Sequence, residues 1–390
     1  MNPMVNLAEQ ETYFTDWLHN SALPLWWESG ADGLTGGFEE LLDLDGKPYP
    51  ANRRFRVQPR QVYSFVAAGN SGWPGNWRAA AAHGLQYFES CFRTSEGYFA
   101  SLMSASGEIL DPAFDPYNQA FALLAYAIMA SAQPETANNF EAKALDLLVA
   151  MSPYRHPLGG YEEGYPRKLP LCSNPHMHLL EAALEWELAT TSKNPVWTAM
   201  ADELIQIATT RFLDPRTGAI REFFDGQWDP FPGLRGRIIE PGHQFEWAWL
   251  MTRWGQSRRN TEALAIARRL FELGVTHGIC PHRNAAVMQL TDDFAVLDDT
   301  CRLWAQTEWL KAALALASTC SGSERTRFLE EAVRAANALR RFIDEVPRKG
   351  LWRDRLMSDG AWQKEPAPAS TLYHLVSGIL ELKKALRGLH

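Results

Sequence analysis

Two stretches, Asn174-Pro175-His176-Met177-His178-Leu179-Leu180-Glu181 and Glu240-Pro241-Gly242-His243-Gln244-Phe245-Glu246-Trp247, each run from a turn-rich loop into an apolar helix. Each carries a histidine close to the helix start. Working outward, a large polar or aromatic residue stands at the same kind of place six times: Arg60, Tyr117, His178, His243, Trp304 and His374. Successive separations are 57, 61, 65, 61 and 70 residues. Apolar residues at i, i+3, i+4 and i+7 mark about twelve helices. They cover Glu11–Trp27, Gln61–Ala68, Trp77–Phe88, Gln119–Met129, Ala142–Met151, His178–Ala189, Val196–Thr210, Gln244–Arg253, Ala263–Gly274, Leu303–Ala317, Arg327–Phe342 and Thr371–Leu386. Two helices per period of about 60 residues means helical hairpins. Six hairpins closed into a ring predict an all-α (α/α)6 barrel, with six inner helices opening on one mouth. Short aromatic β-like pieces, Gly97–Met103 and Ala219–Phe224, would lie in the loops there. No Pro/Ser-rich or charge-blocked linker interrupts residues 1–390, so one catalytic domain is expected.

Composition narrows the function. The 390 residues are 46% hydrophobic and 22% charged, the balance of a globular chain. A net charge of −8 is wrong for a nucleic-acid partner, which needs a basic face. No apolar run reaches the length of a spanning helix, so no membrane partner is expected. Residues 1–17 lack the basic start and apolar core of a secretory signal. Five scattered cysteines without CxxC spacing read as reduced thiols, and a cytoplasmic location is expected. Fifteen tryptophans either fill a large core or stack on ligand faces.

Chemistry-bearing residues gather at the helix starts. Asn174, a good N-cap, shares one helix face with His178 and Glu181. His176 points elsewhere. Gly242 permits a tight entry turn, and Glu246 stands one turn after His243, where a carboxylate would fix the tautomer and raise the basicity of an imidazole. Trp304 and Glu308 are i, i+4 neighbours, and His374 opens an otherwise apolar last helix. Arg60 sits in a first helical turn, where the dipole disfavours a cation, so it needs an anionic or oxygen partner. Asp292-Asp293 and the acidic turn Asp298-Asp299 read as capping or solvated loops. No HExxH, phosphate loop, GxSxG elbow or Cys/His pair is present, so no metal and no cofactor is expected. Two or three histidines, a few carboxylates and one arginine around a mouth suit proton transfer on a polyhydroxylated ligand.

The segments Arg56–Tyr63, Asp115–Phe121, Asn174–Glu181, Glu240–Trp247, Leu303–Glu308 and Thr371–His374, in this order, resemble the N-acylglucosamine 2-epimerase superfamily, most closely its mannose isomerase and sulfoquinovose isomerase branch. The resemblance implies an (α/α)6 barrel and metal-free transfer of the C2 proton through an enediol. It makes His243 and His374 the acid/base pair, with His374 taking the C2 proton and His243 serving ring opening and C1 protonation. Glu246 becomes the carboxylate paired with His243, and Arg60 lies against the developing oxyanion. His178 completes the catalytic set. Asn174, Asp115, Tyr117, Trp304, Glu308 and Trp352 line the sugar site, and Arg237 in the loop 233–237 reaches the far end of the substrate. The stretch 366–370 lacks the tryptophan that cellobiose 2-epimerases carry before the last histidine, which favours a monosaccharide. The expectation is D-mannose/D-fructose isomerisation, with D-lyxose/D-xylulose as a side reaction, in a monomer or homodimer. Mannose 2-epimerase, sulfoquinovose isomerase and, more distantly, a glycoside hydrolase using Glu246 and Glu308 stay open.

Overall fold

The computed structural model describes residues 2–189 and 194–389. Its helices in chain order are α1 (Pro3–Trp17), α2 (Leu23–Glu28), α3 (Val57–Asn70), α4 (Trp77–Cys91), α5 (Pro116–Ala132), α6 (Ala137–Met151) and α7 (Asn174–Leu188). The remainder are α8 (Pro195–Ile207), α9 (Pro241–Arg258), α10 (Thr261–Gly278), α11 (Leu303–Ala317), α12 (Gly322–Asp344) and α13 (Leu372–Leu389). Helices α3, α5, α7, α9, α11 and α13 pack side by side, and α13 returns to α3. This is the closed inner ring of an (α/α)6 barrel, with α4, α6, α8, α10, α12 and α1 outside it. Strand Leu41–Leu42 pairs with Ala367–Pro368, so the first and last loops close the ring at the mouth as well.

Burial separates the two layers. From Pro241 to Gly255 every residue of α9 except Arg253 is buried, because an inner helix touches neighbours on three sides. In α12 burial is confined to a stripe such as Phe328, Leu329, Ala332, Ala335, Ala336 and Leu339, as expected of a helix facing water on one side. Most of the tryptophans are buried in the core. Trp186 stacks on Trp197 at 4.9 Å and Trp26 on Trp352 at 4.7 Å.

One device repeats around the mouth and has no counterpart in the sequence expectations. A side chain in the first turns of five inner helices clamps the backbone of the preceding loop. Gln58 accepts from the Phe38 N–H (2.7 Å) and donates to its carbonyl (2.8 Å). Gln119 does the same to Phe99 at 3.0 and 2.9 Å, and Gln244 to Ile220 at 2.8 and 2.8 Å. Gln306 clamps Ala286 at 2.8 and 3.1 Å. In α7 the role falls to His176, whose Nε2 accepts from the Tyr161 N–H (2.9 Å) while Nδ1–H donates to the Cys172 carbonyl (2.9 Å). Buried backbone groups need partners, and these amides supply them where no ladder does. Each clamp lies one or two residues from Arg60, Tyr117, His178, His243 or Trp304, so loop and site residue are fixed together.

The loops hold more strand than expected. Ala285–Thr291 and Val296–Arg302 form an antiparallel pair, extended by Ile238–Ile239, Ile279–Cys280 and Arg355–Leu356. Asp298 and Asp299 therefore sit in a strand, not in a turn. Asp292 and Asp293 pair with Arg221 and Arg237. No described helix is long and apolar enough to cross a membrane.

Candidate active site

A cavity of about 410 Å³ opens where the inner helices begin. Arg60, Asp115, Tyr117, Asn174, His178, His243, Glu246, Trp304 and His374, eight of them from the first or second turn of an inner helix and Asp115 from the N-cap of α5, all line it. The register of about 60 residues thus converges on one space.

His243 starts α9, and its Nδ1–H donates to Glu222 Oε2 at 2.9 Å, with Glu240 Oε2 at 3.4 Å. Glu222 arrives from the loop that Gln244 clamps, and Ser173 and the Glu240 N–H also donate to it (both 3.3 Å). Burial alone would depress this imidazole, but Glu222 and Glu240 override it and hold His243 up at about 10. His374 has a different setting. Its Nδ1–H donates to Glu308 Oε1 at 2.9 Å, while burial and the cations Arg60 and Lys311 push it well below the ordinary histidine range. One ring is therefore an imidazolium near neutral pH and the other a neutral imidazole with free Nε2. Trp304 lies between them, its ring 5.0 Å from His243 and 5.8 Å from His374.

Glu246 corrects the sequence reading. It is not bound to His243: Glu222 and Glu240 occupy that role, and neither Glu246 oxygen has a hydrogen-bond partner among the described residues. One turn deeper on α9, it faces the cavity beside His178, whose Nδ1 is 3.8 Å away. Burial, then Glu308, push its carboxyl well above the usual carboxylate range. His178 donates from Nδ1 to Glu181 (3.2 Å), which also accepts from the Tyr373 hydroxyl. Burial holds His178 down at about 4. Arg60 finds the oxygen partners its position demanded, the Tyr117 hydroxyl and the Ser370 carbonyl (3.3 Å), and its guanidinium lies 4.0 Å over Phe121.

Five further expectations change. Arg237 does not line the cavity; it is half exposed and pairs with Asp292 (2.7 Å) and Asp293 (3.0 Å). Trp352 is fully buried against Trp26 and Trp17, away from the site. Glu308 lies behind His374 rather than on the cavity wall, so it and Glu246 do not face each other across a cleft as a hydrolase pair would. Asn174 is the first residue of α7 after the cap Ser173; it lines the cavity, and its buried Oδ1 has no hydrogen-bond partner among the described residues. Gly242 serves room rather than a turn, since a Cβ there would meet the Trp304 ring at 2.5 Å.

Sequence reasoning missed Glu222, Glu240, Glu163, Arg54, Arg56 and Arg302, all on the cavity wall. Glu222 had a signal, a single carboxylate among Ile220, Phe223 and Phe224 in a β-like piece. Glu163, which burial and then Asp115 raise to about 7, had none. Among the described residues, His178, Glu181 and Glu246 place donor atoms within 4.8 Å of one another, close enough for a cation. The set does not fit one: Glu181 already accepts from His178 and Tyr373, and the buried Lys311 supplies the positive charge.

The N-acylglucosamine 2-epimerase (GlcNAc 2-epimerase) family profile matches residues 36–378. The chain is 51% identical over 372 residues to a mannose-6-phosphate isomerase of Rhizobium meliloti (strain 1021), spanning 95% of this chain and 96% of that protein. It is 24% identical over 369 residues to a D-mannose isomerase of Marinomonas mediterranea, spanning 90% and 92%. A solved D-mannose isomerase shares the fold with a TM-score of 0.85, at 21% identity over 97% of each chain. Profile, relatives and barrel agree: the chain belongs to the N-acylglucosamine 2-epimerase family, among its sugar isomerases.

Proposed function

We propose that the protein is an aldose–ketose isomerase acting on a mannose-configured monosaccharide, D-mannose and D-fructose in the unphosphorylated case. The observation that carries this reading is the pair of imidazoles flanking the Trp304 ring over one cavity, one held by Glu222 and Glu240 and the other by Glu308. His243, an imidazolium, donates to the ring oxygen as the sugar opens. His374, neutral with Nε2 free, takes the C2 proton. The C2–H electron pair becomes the C1=C2 bond, and the carbonyl π pair moves to O1, where Arg60 offers positive charge. Protonation at C1, with the O2 proton passing to O1 as C2=O forms, then gives the ketose. Glu246, as a neutral acid, donates to a sugar hydroxyl. Returning the proton to C2 on the opposite face would give an epimer with the same groups.

The 6-phosphates are a second reading. It is favoured by the name of the relative sharing half the sequence, and by Arg56. That guanidinium lines the cavity over the Tyr117 ring (4.7 Å), makes no hydrogen bond among the described residues, and has only Asp115 at 3.6 Å. The mouth arginines Arg54 and Arg302 are already bound by Glu40 and Asp354. The sulfoquinovose reading loses its support, because Arg237 is engaged elsewhere. Proton NMR time courses in D2O with D-mannose and with mannose 6-phosphate test both. Ketose carrying deuterium at C1 supports the isomerase, and relative kcat/KM chooses the substrate. Glucose deuterated at C2 as the main early product would move the protein to the epimerases, and failure of both sugars to exchange would refute the reading.

A further inference from the structure

Lys311, one turn after Glu308 on α11, is fully buried. Its Nζ is 2.7 Å from Glu308 Oε2 and lies 3.6 Å over the Trp249 ring. The other Glu308 oxygen accepts from His374 Nδ1–H at 2.9 Å and from the Thr307 hydroxyl at 3.3 Å. An ammonium, a carboxylate and an imidazole thus form a line that ends at the cavity. A fully buried lysine is rare unless paired, and here it takes no part in contacting the cavity wall.

We propose that Lys311 is a positioning residue: through Glu308 it fixes the His374 tautomer that leaves Nε2 unprotonated toward the substrate. This inference rests on His374 acting as the C2 base. A buried carboxylate with no counter-charge takes up a proton. Glu308 in that form would donate to Nδ1 instead of accepting from it. The imidazole hydrogen would then move to Nε2, facing the substrate, and the base would be lost. Other charged and titratable groups face the trio: Arg60 on α3, His178 and Glu181 on α7, Glu246 on α9, and Tyr373 on α13. The nearby carboxylate of Glu181 adds to the pressure on Glu308 to protonate once Lys311 is gone.

The test is Lys311→Met, which keeps the stem and removes the charge, studied beside Glu308→Gln and the double variant. Removing a cation beside a proton-binding pair raises the pH at which the pair lets its proton go. The acid limb of kcat/KM should therefore move up by about 1–3 pH units, with kcat at neutral pH falling about 10²-fold and KM changing little. Lys311→Arg, which restores the charge, should recover the wild-type limb. In the Glu308→Gln background, Lys311→Met should cost no more than about 3-fold, because the two act in series. A folded Lys311→Met protein with the wild-type pH profile, or an additive loss in the double variant, would overturn the proposal. ¹⁵N-histidine NMR, assigned with His374→Gln, reads the His374 tautomer without turnover. A hydrogen on Nε2 in Lys311→Met and on Nδ1 in wild type supports the role even if the sugar assignment fails. The same tautomer in both refutes it.

Discussion

Replacing Glu222 by glutamine removes one of the two negative charges facing His243 while keeping an amide oxygen to accept from Nδ1–H. Burial works against the His243 cation, yet the carboxyls around it, Glu222 first and then Glu240, hold it at about 10, so together they more than offset burial. Glu222 is the closer of the two, at 2.9 against 3.4 Å. Its loss should therefore lower His243 by about 2 units, within the range seen for a carboxylate at hydrogen-bond distance. If His243 must be protonated to open the sugar ring, activity falls as pH rises through its pKa. With a drop to about 8, His243 at pH 9 is about nine-tenths protonated in wild type and about one-tenth in the variant. The variant should be about 10-fold slower at pH 9 and nearly wild type at pH 6.5–7. The assay is the pH profile of kcat between pH 5 and 10.5, with substrate saturating and folding checked by thermal melts. A basic limb that stays put in Glu222→Gln would refute the assignment of that limb to His243.

Other expectations follow from the same geometry. Glu246→Gln should keep kcat within about 5-fold at pH 7, since an amide resembles the neutral acid, whereas loss of about 10²-fold would mean the carboxylate works ionised. Gly242→Ala drives a methyl into the Trp304 ring, so it should cost about 1–3 kcal/mol in urea unfolding, partly relieved by Trp304→Phe. His176 is held down at about 4 by burial, and its unfolded counterpart titrates near 6.5. Its contribution is therefore complete above about pH 6.5 and lost as pH falls toward 4, on the order of 3 kcal/mol. Denaturant melts across that window should show a loss that His176→Gln lacks. Activity should withstand exhaustive chelation, and restoration by a divalent ion after its loss would overturn the metal-free route.

The barrel was legible because an inner helix must keep its whole length apolar and still present one polar residue at the mouth. That conflict leaves a mark every 60 residues or so, and Arg60, Tyr117, His178, His243, Trp304 and His374 are those marks. Helix ends were less legible. Helix α3 starts at Val57, four residues before the stretch read as Gln61–Ala68, and the π-helical turn Leu18–Ala22 divides what reads as one helix. The partners of the histidines were misread for a physical reason. Spacing along a helix shows that Glu246 and His243 share a side, but not that they sit at different depths. Nor does it show that a loop 21 residues upstream brings Glu222 to the mouth. The Gln58, Gln119, Gln244 and Gln306 clamps went unseen because a glutamine near a helix start looks like any solvated one until its loop is in place.

The difference between the two histidines follows from which end of the barrel each answers to. His243 is served from the mouth, where loops deliver Glu222 and Glu240 and the site meets water, so a net negative environment around an imidazolium costs little. His374 is served from the floor, where inner helices alone provide partners and an unpaired charge is expensive. There the sequence places Glu308 with its own cation, Lys311, so that the carboxylate orients the imidazole without charging it. Arg60 adds a second cation from α3 and further disfavours protonation of His374. In the proposed mechanism, identical side chains thus take the roles of acid and base from their different surroundings. Loop substitutions around Glu222 should retune the acid alone, while substitutions on α11 should retune the base alone. Combining Glu222→Gln with Lys311→Met provides the check: if the two sides are independent, the pH profile narrows from both limbs at once by the sum of the single shifts. A double variant whose limbs move by less than that sum would show the histidines coupled through Trp304, contrary to this division.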